Sequence, residues 1–124
     1  MQTLHTTRLT LEPRVAAHAD ALYPILADPP QRAYHDDDPV SLAALRERFR
    51  QGESRRSPDG REQWLNWAIV QRDEGPNAIG FVQATVLEDH RAWVAYAVAT
   101  ALWGRGLASE AVRTMVEHLT SHYA

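Results

Sequence analysis

Two glycines one residue apart, Gly104 and Gly106, separate a stretch with strand character, Ala92 to Thr100, from a stretch with helical periodicity. Beyond them Leu107, Ala108, Ala111, Val112, Met115, Val116 and Leu119 recur at helical spacing and form one apolar stripe. Ser109, Glu110, Arg113, Thr114, Glu117 and His118 take the other side. A strand that turns through glycine into a helix presents unpaired N–H groups at the helix start. That start carries about half a positive charge and suits a phosphate. Glycine takes positive φ and lets a ligand approach the main chain, and Arg105 adds a cation to the same turn. No Gly-Lys-Ser/Thr follows, which excludes a P-loop, and the third glycine of a dinucleotide fingerprint is missing. A tight turn easing the helix start is the alternative to an anion site.

The remaining chain supplies a sheet and two further helices. Thr7 to Glu12 alternates as a first strand and stops at Pro13. Val15 to Ala27 places Val15, Ala19, Leu22, Ile25 and Leu26 on one helical face, with Pro24 expected to kink or end it. Asp28-Pro29-Pro30 reads as a break. In Gln31 to Val40, His35 beside Asp36, Asp37 and Asp38 reads as a solvated acidic loop, since adjacent residues define no metal geometry. Attraction of a cationic amine is its functional alternative. Ser41 is an expected N-cap ahead of Leu42, Leu45 and Phe49.

Gln51 to Glu62 reads as an exposed loop with Arg55 and Arg56 solvated. Gln63 to Arg72 is apolar on both faces and should be covered on both. Ala78 to Leu87 is the next strand, with Gly80 marking a bulge or a close approach. Short turns make these strands and Ala92 to Thr100 an antiparallel meander. The expected order is β-α-α-β-β-β-α, within one α/β domain spanning 1–124.

Composition narrows the function classes. A net charge of −3 offers no broad basic surface for nucleic acid. The chain has no cysteine, which excludes disulfides, cysteine zinc sites and a thiol nucleophile and is compatible with the cytoplasm. No apolar run approaches a membrane span, and Met1 to His5 lacks the regions of a signal peptide.

The segment Tyr96 to Ala111 resembles the acetyl-CoA loop of the GNAT N-acyltransferase superfamily, which carries Gln/Arg-x-x-Gly-x-Gly/Ala between a strand and a helix. Trp103-Gly104-Arg105-Gly106-Leu107-Ala108 fills that frame. Trp103 departs from its first position but is usual in the branch that resembles ribosomal-protein N-terminal acetyltransferases, as is Ser109-Glu110-Ala111. Thr7-Arg8-Leu9-Thr10-Leu11-Glu12-Pro13 is similar to that branch's first strand.

The resemblance implies a mixed sheet with helices on both faces and transfer of an acetyl group from acetyl-CoA to a primary amine, without a metal. It implies that the backbone of Val98, Ala99 and Thr100 holds the pantetheine arm and the oxyanion. The amides of Gly104 to Ser109, a run that includes Leu107 and Ala108, would hold the pyrophosphate, with Trp103 and Arg105 beside it. The helical region after Ser41 would line the acceptor side. Where relatives carry a glutamate the register gives Trp93, and Ala95 replaces a glycine, so no catalytic residue is assigned. Tyr96 reads as a packing residue, and His90 and Tyr123 as exposed. Relatives continue with further strands and a helix that this chain lacks. That leads to an expectation of self-association through the bare last strand. A non-catalytic acyl-CoA-binding module is the competing reading.

Overall fold

The computed structural model describes residues 1–32 and 41–123. Five strands form one antiparallel sheet in the order β1-β2-β3-β4-β5. They are β1 Leu4–His5, β2 Leu9–Pro13, β3 Gln63–Gln71, β4 Ala78–Val86 and β5 Ala92–Val98. The helices are α1 Ala19–Ala27, α2 Pro29–Arg32, α3 Leu42–Gly52 and α4 Leu107–Tyr123. The α/β class and the strand–helix order follow the sequence expectation, with β1 added at the front and the short α2 between the two expected helices. Two residues are too few to display a period, so β1 is visible only through its pairing of Leu4 with Leu11.

Both faces of β3 are covered, as its two-sided apolar pattern requires. Leu65, Trp67 and Ile69 join Leu9, Leu11, Val82 and Val98 beneath α4. Ala68 joins Phe81 and Ala97 beneath α1 and α3. Ser41 caps α3, its Oγ accepting from the Ala44 N–H at 3.0 Å, and Leu45 and Phe49 are buried. Each large apolar side chain fully buried in this way contributes about 1.5–3 kcal/mol.

Several local expectations are corrected. Pro29-Pro30 opens the short α2 instead of breaking the chain, because proline lacks only the donor that a first helical turn leaves unused. Helix α1 passes through Pro24 and ends at Ala27. Arg55 is half-buried, not solvated, and takes φ 63°. The stripe on α4 is rotated from its sequence estimate. Leu107, Ala111, Met115 and Leu119 are buried and Val112 is partly so, but Val116 is 43% exposed. The Glu110–His118 edge turns inward instead, and the His118 ring stands edge-on to Trp67 at 5.8 Å. Spacing selects a stripe about half a helix wide; only the position of the sheet decides which border of it is covered.

Gly80 is a close approach. A Cβ there would stand 2.1 Å from the Ala97 carbonyl oxygen, and the β3–β4 register shifts opposite it, between Ile69 and Val70. Its missing side chain lets the end of β5 lie tight against β4.

The rotated stripe gives opposite outcomes for adjacent residues. Met115→Ala should lower stability by about 2–5 kcal/mol. Val116→Asp should change it by about 0.5 kcal/mol or less, as surface substitutions do. Thermal melts of the two variants beside the parent check this. An unfolded Val116→Asp chain would return Val116 to the core.

Candidate functional site

At the end of β5 the chain makes a 3-10 turn, Thr100–Leu102, and then the glycine turn into α4. Gly104 has φ 83° and Gly106 φ 76°, the left-handed region that glycine enters without strain. A Cβ built on Gly104 would meet nothing within 4 Å, so this turn faces open space. The first hydrogen bond of α4 runs from the Glu110 N–H to the Gly106 carbonyl at 3.0 Å. The N–H groups of Leu107, Ala108 and Ser109 therefore precede any intrahelical acceptor.

These groups open on a cavity of about 710 Å3. Of the residues expected to bind, Val98, Trp103, Gly104, Gly106, Leu107, Ala108 and Ser109 line it, together with Gln31, Ala95 and Tyr96. Ala99, Thr100 and Arg105 do not. The Ala99 N–H is taken up by the Ile79 carbonyl at 2.8 Å. Thr100 Oγ1 is buried without a hydrogen-bond partner among the described residues. The Val98 carbonyl accepts from Trp103 Nε1 at 2.8 Å and from Gln31 Nε2. The indole thus folds back onto the strand end, a contact that explains a tryptophan ahead of the glycines. Tyr96 is 52% exposed on the cavity, not packed as expected, and His90 sits exposed in the hairpin turn.

The turn is held by a contact that the sequence reading did not foresee. Glu110 accepts from the Thr6 hydroxyl, from the Arg8 N–H at 3.0 Å and from Arg8 Nε at 2.7 Å. Arg8 Nη1 donates to the Arg105 carbonyl at 2.9 Å. Burial would raise the Glu110 carboxyl, but the Thr6 and Arg8 donors outweigh it and hold its pKa below the usual value. Its contribution to stability is therefore present above the ordinary carboxylate pKa and fades as pH falls through the lowered one. Arg8 and Glu110 lie 102 residues apart, so no local pattern could pair them.

A second cavity, of about 500 Å3, lies against α3 and the end of α1, with Leu26, Leu45, Phe49, Trp64 and Phe81 among its walls. Ala95 lines both cavities, so the two meet at β5. Arg14 lines the second one, only 8% exposed, its guanidinium 3.8 Å over the Phe49 ring. Burial, with Arg55 and Arg48 nearby, pushes its pKa down to about 9, so it remains charged at neutral pH. His35 and Asp36 to Asp38 lie outside the described residues.

A family model of the acetyltransferase (GNAT) domain matches residues 8–123. The N-acetyltransferase p20 of Bacillus licheniformis, itself uncharacterized, is 29% identical over 118 residues, 95% of this chain and 66% of that protein. A GNAT-family acetyltransferase from Bacillus anthracis superposes with a TM-score of 0.76 at 12% identity, covering 97% of this chain and 67% of that one. The Salmonella typhimurium acetyltransferase that modifies the N-terminal serine of ribosomal protein L7/L12 gives 0.76 at 16%, covering 98% and 70%. At such identities the superpositions speak for the fold. The chain spans about two thirds of the length of these proteins.

Cutting the tie beneath the turn should loosen it locally. Arg8→Ala removes a half-exposed ion pair and a bond to the Arg105 carbonyl, together about 1 kcal/mol. Amide exchange at Gly106 to Glu110 should then quicken about fivefold, while β3 amides stay as they were. Unchanged exchange at those positions would show that the turn holds itself.

Proposed function

Because this chain belongs to the GNAT acetyltransferase family, we propose that it binds acetyl-CoA on the glycine turn and passes the acetyl group to a primary amine. One observation carries this reading. The free amides at the start of α4 and the terminal backbone of β5 open on a single cavity. The pyrophosphate would take the amides of Leu107 to Ser109, where unpaired donors and the helix dipole favour negative charge. Arg105, exposed on the same turn, adds a cation beside it. The pantetheine arm would run along Tyr96 to Val98, which brings the thioester to Ala95, where the second cavity begins. The amine would enter through that second cavity, past α3.

The chemistry needs an uncharged amine, and a lysine-type amine has a reference pKa of about 10.4, so its proton must leave before attack. The amine nitrogen then bonds to the thioester carbon. The oxyanion forms opposite a donor, and the C–S bond breaks to release CoA as thiolate. Val98 and its neighbours would supply position and backbone donors. We assign no base. In this reading the acceptor is a protein N-terminus or a small amine and the compartment is the cytoplasm, with which a cysteine-free chain is compatible.

The outer edge of β5 pairs with no strand among the described residues, and ahead of the stretch given to pantetheine it exposes Trp93 and Val94. An open apolar edge is a template for another strand. We place a second copy of the chain there, and light scattering should report a species larger than the monomer. A monodisperse monomer at high concentration would remove that proposal.

The cofactor site is tested by calorimetry with CoA. Gly106→Val forces a branched side chain into φ 76°, a strain of order 1–3 kcal/mol that the turn can relieve only by moving. CoA affinity should fall at least about tenfold in a variant that still melts cooperatively. Equal affinity would overturn the turn as the cofactor site. Parent chain that binds CoA but releases none from acetyl-CoA with any amine would favour a non-catalytic binding module.

A further inference from the structure

Resting on that reading of the second cavity as the acceptor's entrance, we propose that Arg14 receives a carboxylate carried by the amine acceptor, so that acidic acceptors are preferred over neutral ones. A cation is seldom taken out of water without an anion, because desolvation outweighs what apolar neighbours return. Arg14 is such a cation: it is 8% exposed, and its Nε has no hydrogen-bond partner among the described residues. Its guanidinium lies 3.8 Å over the ring of Phe49. Among the described residues that line the cavity none is acidic. Burial, with Arg55 and Arg48 nearby, depresses the Arg14 pKa. A cavity lined by apolar and neutral polar side chains around a buried guanidinium, with no acidic residue among its described walls, suits an anionic guest.

A carboxylate suits it better than a phosphate. The guanidinium is a planar fork that matches two carboxylate oxygens, and one buried guanidinium balances one negative charge. The cavity shares Ala95 with the proposed thioester position. A molecule lying across it would therefore have its amine at β5 and its carboxylate toward Arg14. Gly52 keeps room for this arrangement: a Cβ there would stand 3.2 Å from Arg14 Nη2.

The test uses matched acceptors that differ only in charge. A series of ω-amino acids of increasing length and a set of Xaa-Glu dipeptides are each assayed beside the corresponding carboxamide, with CoA release as readout. The best carboxylate should exceed its amide in kcat/KM by at least about tenfold, the scale of one charge-assisted hydrogen bond. Arg14→Met should bring that ratio to about one. It should leave the affinity for CoA unchanged and the melting temperature equal or higher, since an unpaired buried charge is removed. Arg14→Lys, which keeps the charge and loses the fork, should fall between.

A binding arm needs no turnover. N-acetylated members of the same series should raise the melting temperature of the parent and not of Arg14→Met, and their amides should raise neither. Equal rates and equal thermal shifts for acid and amide would overturn the proposal. So would an Arg14→Met chain that melts lower and keeps the discrimination, which would make Arg14 a packing residue over Phe49. Loss of CoA binding alone would sink the acetyl-transfer reading and leave the binding arm to decide this one.

Discussion

One carboxylate joins the two ends of the fold. Glu110, in the first turn of α4, gathers donors from Thr6 and Arg8, which lie between β1 and β2. Arg8 spends its remaining reach on the Arg105 carbonyl, inside the glycine turn. The two glycines of this turn, both at positive φ, bring no side chains to hold it, and beside the Trp103 indole the described ties come from outside the turn. Its shape therefore depends on what grips its flanks, and the grip comes from the opposite end of the chain. The helix these contacts adjoin has Met115 in the core and Val116 on the surface. An acidic residue in a first helical turn is favoured by the helix dipole in any case.

The sheet then divides the molecule into two working sides. β4 and β5 lie close because Gly80 offers no Cβ to the Ala97 carbonyl. β5 is thin where it matters: Ala95 and Ala97 carry single methyl groups, and Ala95 is the wall shared by the two cavities. The two sides differ in their sources of positive potential. One uses unpaired amides at a helix start, which suit a phosphate group. The other uses a buried guanidinium, which suits a planar anion. Arg14 is buried over the Phe49 ring, its Nε without a hydrogen-bond partner among the described residues.

Local rules made much of this legible from residues alone. Helix periods after Gly106 and Ser41, alternation in β3 and β4, and the strand–glycine–helix order each depend on neighbours within a few positions. They were enough to place the longer elements, the glycine turn and the irregularity at Gly80, but not β1 or α2. They were not enough where a terminal rule had two outcomes, as at Pro29-Pro30, where proline both ends one helix and begins another.

The sequence by itself determined the class of the fold and the place of the glycine turn that leads from β5 into α4. Both follow from short-range stereochemistry: glycine's freedom at positive φ, and the pairing of apolar spacing with secondary structure. Only the tertiary structure decided which border of the α4 stripe is buried, that Arg8 and Glu110 brace the turn, and that Arg14 lies buried beside Phe49 facing a second cavity. Those outcomes rest on contacts between segments far apart in the chain. Charge, burial and pairing are properties of the assembled surroundings, and an arginine in sequence carries no mark of whether water or an aromatic ring will cover it.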